Sequence, residues 1–248
     1  LAFHDDVELV LNESGNVTIK SKNSEGEVLT VERQKMNSLV VPYGKRSTLL
    51  LSDGTKAWLN SGSILEFPAK FSGSKREIRL HSGEMYVEVH PDETTPFSVT
   101  TDLYDVLVHG TKFNITHYED SPEAVVLVEG SISLRSPGTK ELFITPNQQA
   151  TFTGDEQFDV EMVEAEKFIS WKDGYLTFHK TPMTEVLNQI GRYYNLSFDF
   201  DADGNLRERT CTGKIHLSEN LDNVMTTLSI LSSTTYKRED NQIYITNE

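Results

Sequence analysis

The chain has 248 residues, with 23 Lys and Arg against 38 Asp and Glu, for a formal charge of −15. That length suits one or two domains, and 12 Phe, 9 Tyr and 2 Trp are enough to build cores, so wholesale disorder is excluded. The acidity argues against nucleic-acid partners, and a single cysteine, Cys211, excludes an internal disulfide and any cysteine-cluster zinc or iron–sulfur site within one chain.

From the N-terminus to about residue 165 the pattern predicts strands almost throughout. Examples are Val7–Leu11, Val17–Lys20, Thr48–Leu51, Lys56–Leu59, Glu77–Leu80, Glu84–Val89, Phe97–Thr100, Asp105–His109, Phe113–Tyr118, Ala124–Val128, Ser131–Arg135 and Gln149–Phe152. Turn signals separate them, among them Ser52-Asp53-Gly54, Ser82-Gly83 and Glu129-Gly130. Many short strands at such spacing predict an all-β domain: a sandwich, a jelly roll or a coiled solenoid. Alternation sets faces, with Met85, Val87 and Val89 opposed to Glu84, Tyr86, Glu88 and His90. Phe113, Ile115 and His117 likewise oppose Asn114, Thr116 and Tyr118. Leu9-Val10-Leu11 and Val17-Thr18-Ile19 around Gly15 resemble Leu49-Leu50-Leu51 and Ala57-Trp58-Leu59 around Gly54, two hairpins of one kind.

Around Glu161 the strand pattern fades, and Glu161, Glu164 and Glu166 predict a polar link or a short helix. Residues 166–248 then predict a small α+β domain after an all-β domain of residues 1–165. Met183, Val186, Leu187, Ile190 and Tyr194 fall at helical spacing, with Thr181 placed as N-cap and Pro182 at the first helical position. Leu221, Val224, Met225, Leu228 and Leu231 repeat the pattern 38 residues on, preceded by Ser218. Strands are expected at Tyr175–Phe178, Leu196–Phe200, Lys214–Leu217, Thr235–Lys237 and Gln242–Thr246. The sum reads as two β-α-β copies in one sheet with helices on one face. The acidity is uneven: 14 basic against 26 acidic side chains in residues 1–165, and 9 against 12 beyond.

No apolar run approaches the roughly 20 residues of a spanning helix, and Leu1 to Asp6 carries no basic signal-peptide region. No Walker loop, dinucleotide fingerprint, zinc-protease helix or nucleophile elbow occurs. Asp199, Asp201, Asp203 and Gly204 have calcium-loop spacing, but the twelfth position is Thr210 instead of a bidentate Glu, so an acidic turn is expected. Glu84, Glu88 and His90, with His81 nearby, could do acid–base or metal work, or could simply be a solvated face. His109 and His117 read as packed or hydrogen-bonded histidines, and Cys211 as structural despite nearby Arg207 and Arg209. The glycosylation-type triplets at Asn12, Asn16, Asn114 and Asn195 occur at chance frequency. No catalytic, metal-binding or cofactor residues are nominated.

Several ordered segments resemble FecR-type anti-sigma factors. They are Val41-Pro42-Tyr43-Gly44, Leu51 to Ser63, Phe67 to Gly73, Arg76 to Leu80, Gly83 to Val89, Pro96-Phe97, Gly110 to Ile115, Leu127 to Ser131 and Pro146 to Ala150. Trp171, Gly174, Leu176, Phe178, Pro182, Val186-Leu187 and Arg192 to Asn195 are similar to the C-terminal domain paired with such segments in Bacteroidetes proteins. The likeness spans about residues 36–248; residues 1–35 match weakly, and His81, His109 and Met85-Tyr86 depart from the usual pattern. The resemblance implies the periplasmic part of a single-pass inner-membrane protein. Such a protein takes a signal from the N-terminal signalling domain of an outer-membrane TonB-dependent transporter. It controls an extracytoplasmic-function sigma factor through a cytoplasmic segment absent here. It also implies a second domain resembling the small secretin/TonB N-terminal fold, docking like on like at a sheet edge, with no enzymatic activity and no cofactor. The contact face stays unassigned. The alternative is a carbohydrate- or ligand-binding β domain of the cell envelope, motivated by Trp58 and Tyr86.

Overall fold

A computed structural model describes residues 7–11, 17–21, 36–138, 140–154, 157–199, 208–217, 220–232, 234–239 and 241–247. Contacts divide the chain into two compact units: Leu1–Pro42 with Arg46–Ala165, and Tyr43–Lys45 with Glu166–Glu248.

The first unit is all strand. Hairpin β1 (Val7–Leu11) and β2 (Val17–Ser21) pairs Leu9 with Ile19 and forms a sheet of its own. The rest form one continuous 13-stranded network. Its members in chain order are β3 (Met36–Val40), β4 (Ser47–Leu50), β5 (Lys56–Leu59), β6 (Ile64–Pro68) and β7 (Arg76–Glu88). Next come β8 (Phe97–Thr100), β9 (Asp105–Val108), β10 (Lys112–His117), β11 (Ala124–Glu129) and β12 (Ile132–Arg135). The last are β13 (Leu142–Ile144), β14 (Gln148–Gly154) and β15 (Gln157–Met162).

Strand β7 organises this unit. Its first half pairs with β6 and, in parallel, with β8; its second half pairs with β5 and β10. One sheet therefore runs β3-β6-β7-β8-β9-β12-β13 and the other β4-β5-β7-β10-β11-β14-β15, with β7 common to both. The sequence places two strands and a Ser82-Gly83 turn here, whereas the chain continues as one 13-residue strand. Gly83 has φ +118°, a bend open to glycine, and a Cβ there would collide with Ser63. The glycine bends the strand and hands it from one sheet to the other instead of reversing it.

A single apolar cluster gathers side chains from both sheets, including Leu65, Phe67, Ile78 and Phe97 from one and Leu59, Met85, Phe113 and Ile115 from the other. The all-β expectation holds, in sandwich form. Strands β3, β6, β13 and β15 add to those named from the sequence. In β15 the polar residues Asp159 and Glu161 alternate with Phe158, Val160 and Met162, which is a strand period in a stretch whose charge reads as a polar link.

After β15 comes the short helix α1 (Ala165–Ile169), then a 3-10 turn over Ser170–Asp173 that closes on Gly174 at φ +87°. The second unit continues with β16 (Tyr175–Pro182), α2 (Met183–Tyr194), β17 (Ser197–Asp199), β18 (Thr210–His216), α3 (Leu221–Ser232), β19 (Thr234–Glu239) and β20 (Gln242–Asn247). The two long helices begin 38 residues apart and bury matching positions: Met183, Val186, Leu187 and Ile190 in α2, Val224, Met225 and Leu228 in α3. Thr181 lies in β16, and Pro182 takes the N-cap place at ψ 136° with no side-chain cap, because the strand runs into the helix without a loop. Ser218 lies outside the described residues.

The expected single sheet gives way to two. β16 pairs antiparallel with β18, while β17 pairs parallel with β20, which pairs antiparallel with β19. The strands flanking each helix thus lie in different sheets, and each helix touches strands of both. Like pairs with like across the repeat, and β20 fills the space between β17 and β19. Because β18 pairs with β16 and β20 with β17, the two copies exchange strands instead of joining edge to edge, and each helix packs on strands of both sheets.

Candidate functional site

A buried ion pair of the first unit ties its turns to its core. The turn between β4 and β5 places Asp53 to accept from the Thr55 N–H at 3.0 Å and the Thr55 hydroxyl at 2.7 Å. The Arg76 guanidinium donates to Asp53 at 2.7 Å, to the His90 carbonyl at 2.9 Å and to the Thr95 carbonyl at 3.0 Å. The side chains are only 5% and 12% exposed, so charge and hydrogen bonding must offset their desolvation. The cluster joins the β4–β5 turn to the start of β7 and to the loop after it. The Ser52-Asp53-Gly54 turn signal was legible; Arg76 as its partner, 23 residues on, was not.

Glu84 is held by two amides, Asn60 Nδ2 at 2.8 Å and Asn114 Nδ2 at 3.0 Å. Glu88 accepts from the Tyr86 hydroxyl at 3.1 Å, and His90 lies past the end of β7. His81 stands 3.0 Å from Glu66. The four residues weighed together in the sequence therefore serve separate structural contacts, and no group of His, Cys, Asp or Glu among the described residues is placed to hold a metal. Tyr86 is 2% exposed, with Trp58 packed on it at 5.3 Å and Lys56 over the Trp58 ring at 4.4 Å. Tyr86 is thus closed to a ligand, while Trp58 is half-buried beneath Lys56. Asn114 is also buried, so the face opposite Phe113 is not a solvated one.

His117 is buried, its Nδ1 3.0 Å from Glu123 Oε2 but not aligned for a hydrogen bond. The Tyr104 hydroxyl nearby is buried with no hydrogen-bond partner among the described residues, and burial first, then the Glu123 charge, push its pKa far up. His109 is exposed, contrary to the packed setting expected for it. Cys211 is buried, and desolvation raises its thiol, the opposite of a reactive setting. Of the Asp199, Asp201, Asp203 and Gly204 motif, only the Asp199 backbone, in β17, belongs to the described residues.

In the second unit β16 and β18 form a two-stranded ribbon. Leu176 and Phe178, with Cys211 and Ile215, face inward. Outward lie Tyr175, Lys214 and His216: the Lys214 ammonium sits 3.4 Å from the Tyr175 ring centroid, and the His216 ring 5.9 Å from it. β16 carries a bulge at His179-Lys180, where the Lys180 N–H donates to the Thr212 hydroxyl at 2.9 Å and Lys180 has φ 51°. β18 has no bulge. The Leu217 N–H donates to the Gly174 carbonyl, so by alternation the backbone groups of Lys214 and His216 point away from β16 to an edge with no strand partner among the described residues. Bulged edges resist strand addition and straight ones invite it. Nothing in the sequence distinguishes β18 from β16 in this respect.

The family described as FecR protein matches residues 37–133, and the one described as FecR, C-terminal, matches residues 175–245. Two crystal structures of a candidate anti-sigma factor from Parabacteroides distasonis ATCC 8503, at 2.50 and 1.65 Å, share this fold with TM-scores of 0.76 at 24% identity. Each likeness covers 86% of this chain, and 100% and 99% of theirs. No curated protein matches the chain.

Proposed function

Since this chain belongs to the FecR family, with a FecR domain followed by a FecR C-terminal domain, we propose that it is the periplasmic region of a transmembrane anti-sigma factor. The observation that carries this reading is the pair of family matches in that order along one chain. In it, residues 1–165 and 166–248 act as two domains. The second receives the N-terminal signalling domain of an outer-membrane TonB-dependent transporter. The state of the complex then governs an extracytoplasmic-function sigma factor held by a segment on the cytoplasmic side. No catalytic step and no cofactor belong to this role. Among the described residues no helix is long and apolar enough to cross a membrane.

The open β18 edge supports docking by strand addition, where backbone hydrogen bonds supply affinity and the outward Tyr175, Lys214 and His216 supply specificity. Calorimetric titration of the chain with the signalling domain of the transporter encoded beside it tests the reading. Saturable one-to-one binding is expected. Lys214→Pro, which removes an outward N–H, should weaken it roughly tenfold or more. Absence of heat with a folded, matched partner overturns the transporter reading. Undiminished binding by Lys214→Pro moves the contact off β18.

A further inference from the structure

Strand β15 is the last strand of its sheet, paired with β14 on one side and with no strand on the other among the described residues. The Val163 N–H donates to the Asn147 carbonyl at 2.8 Å, so by alternation Asp159 and Glu161 turn their backbone groups toward β14. The N–H and C=O groups of Phe158, Val160 and Met162 then line the open edge. Their side chains share one face of the strand. Phe158 packs against the core with Phe152 and Tyr104, while Val160 is 40% and Met162 70% exposed. The other face carries Asp159 and Glu161 opposite Thr151 and Gln149, and neither carboxylate has a cationic partner among the described residues. Residues 141–166 hold seven carboxylates and no Lys or Arg.

Three things thus coincide on one strand: unpaired backbone groups, two exposed apolar side chains on one face and two uncompensated carboxylates on the other. Natural edges of this length are usually guarded by lysines, a proline or a bulge. The bulge here lies at Phe152/Gly154, at the far end of the ladder from Val160 and Met162.

We propose that the outer edge of β15 takes an extended, basic segment of a partner protein as an added strand. Its lysine or arginine side chains would lie beside Asp159 and Glu161 and alternate with apolar side chains beside Val160 and Met162. Period-two alternation in the incoming segment is what the pleat demands. A second copy of this chain is a poor occupant: antiparallel pairing of β15 with itself places Asp159 against Glu161 of the other strand, and like charges directly opposite repel. The proposal concerns the first unit and stands apart from transporter docking on β18.

The test uses the full chain and a labelled, end-blocked peptide of alternating Lys and Val, read by fluorescence anisotropy. Saturable binding that weakens as salt rises is expected, together with slowed amide exchange at Val160 and Met162. Val160→Pro, which removes an outward N–H while leaving the β14 pairing intact, should weaken binding roughly tenfold or more. The double change Asp159→Lys, Glu161→Lys should do the same, and it decides the matter if the proline variant melts early. A peptide with the same lysines and valines in two blocks should bind at least about tenfold more weakly, since it cannot match both faces. No binding, equal binding of the block peptide, or binding indifferent to both variants overturns the proposal. A concentration-dependent dimer abolished by Val160→Pro also overturns it, assigning the edge to a second copy. Lys214→Pro should leave peptide binding unchanged, and a parallel loss there overturns the assignment to β15.

Discussion

The first unit and the second solve the same problem at different scales. In the first, two sheets share β7 and close on one apolar cluster, so many large side chains such as Phe67, Phe97 and Phe113 are wholly buried. In the second, two helices lie between a two-stranded and a three-stranded sheet, and the buried set is smaller: Leu176, Phe178, Met183, Leu187, Ile190, Ile215 and Leu228 among them. The large unit can afford a buried ion pair, Asp53 with Arg76, as a lock. The small unit relies on apolar stripes of two helices and leaves ribbon edges open. A two-stranded ribbon is marginal without backing, so β16 and β18 depend on α2 and α3 for their order. The comparison teaches that both units keep an open edge on different backing: β15 borders a sheet that closes on a large apolar core, while β18 belongs to a two-stranded ribbon backed by helices.

The largest effect should come from Gly83→Ala. A side chain at φ +118° that also collides with Ser63 is expected to cost about 4 kcal/mol or more, read by denaturant unfolding, and to unfold the first unit while near-UV signals of the second persist. A loss below about 1 kcal/mol would mean the bend in β7 is not needed to join the two sheets. Asp53→Ala should cost about 3 to 4 kcal/mol by stranding the Arg76 charge, and the double change Asp53→Ala, Arg76→Met should recover much of it. If the double variant is no better than the single, the ion pair is not the lock. Ile190→Ala should cost about 2 to 3 kcal/mol within the second unit and leave the first transition in place; a single shared transition would break the comparison.

Glu185 sharpens it further. Burial raises its pKa, with a hydrogen bond from Gln189 and the Arg192 charge opposing. Folding therefore favours its protonated form. Its contribution is fully present below the ordinary glutamate value and is lost as pH rises through the raised folded value. Glu185→Gln should raise the melting temperature of the second unit slightly near neutral pH and leave it unchanged in mild acid; an equal rise at both would remove the burial argument. The smallest effect concerns Cys211: its buried thiol should alkylate only as fast as the second unit opens, measured by mass shift with iodoacetamide.

Much of this architecture was legible in the chain. β1, β5 and β8 fall where alternation and turn residues place them, and α2 and α3 bury the positions their periodicity selects. The ordered segments from Val41 to Asn195 carried the family as well. Local pattern suffices there because a strand's period and a helix's stripe are written in neighbouring residues. Other features were not local. Gly83 reads as a turn glycine, and only the neighbours on both halves of β7 make it the bend between two sheets. The β-α-β copies were visible, yet the exchange of their strands between two sheets depends on which partners reach each edge. Arg76 and Asp53, and Glu84 with its two asparagines, meet across 23 to 30 residues. The open edges of β15 and β18 exist only because no other strand arrives there among the described residues. The sequence by itself determined the elements, their faces and the family, since these follow from short-range pattern. The tertiary structure decided pairing partners, burial of both faces around Tyr86 and Asn114, and which edges stay open, because those depend on long-range packing that no local period encodes.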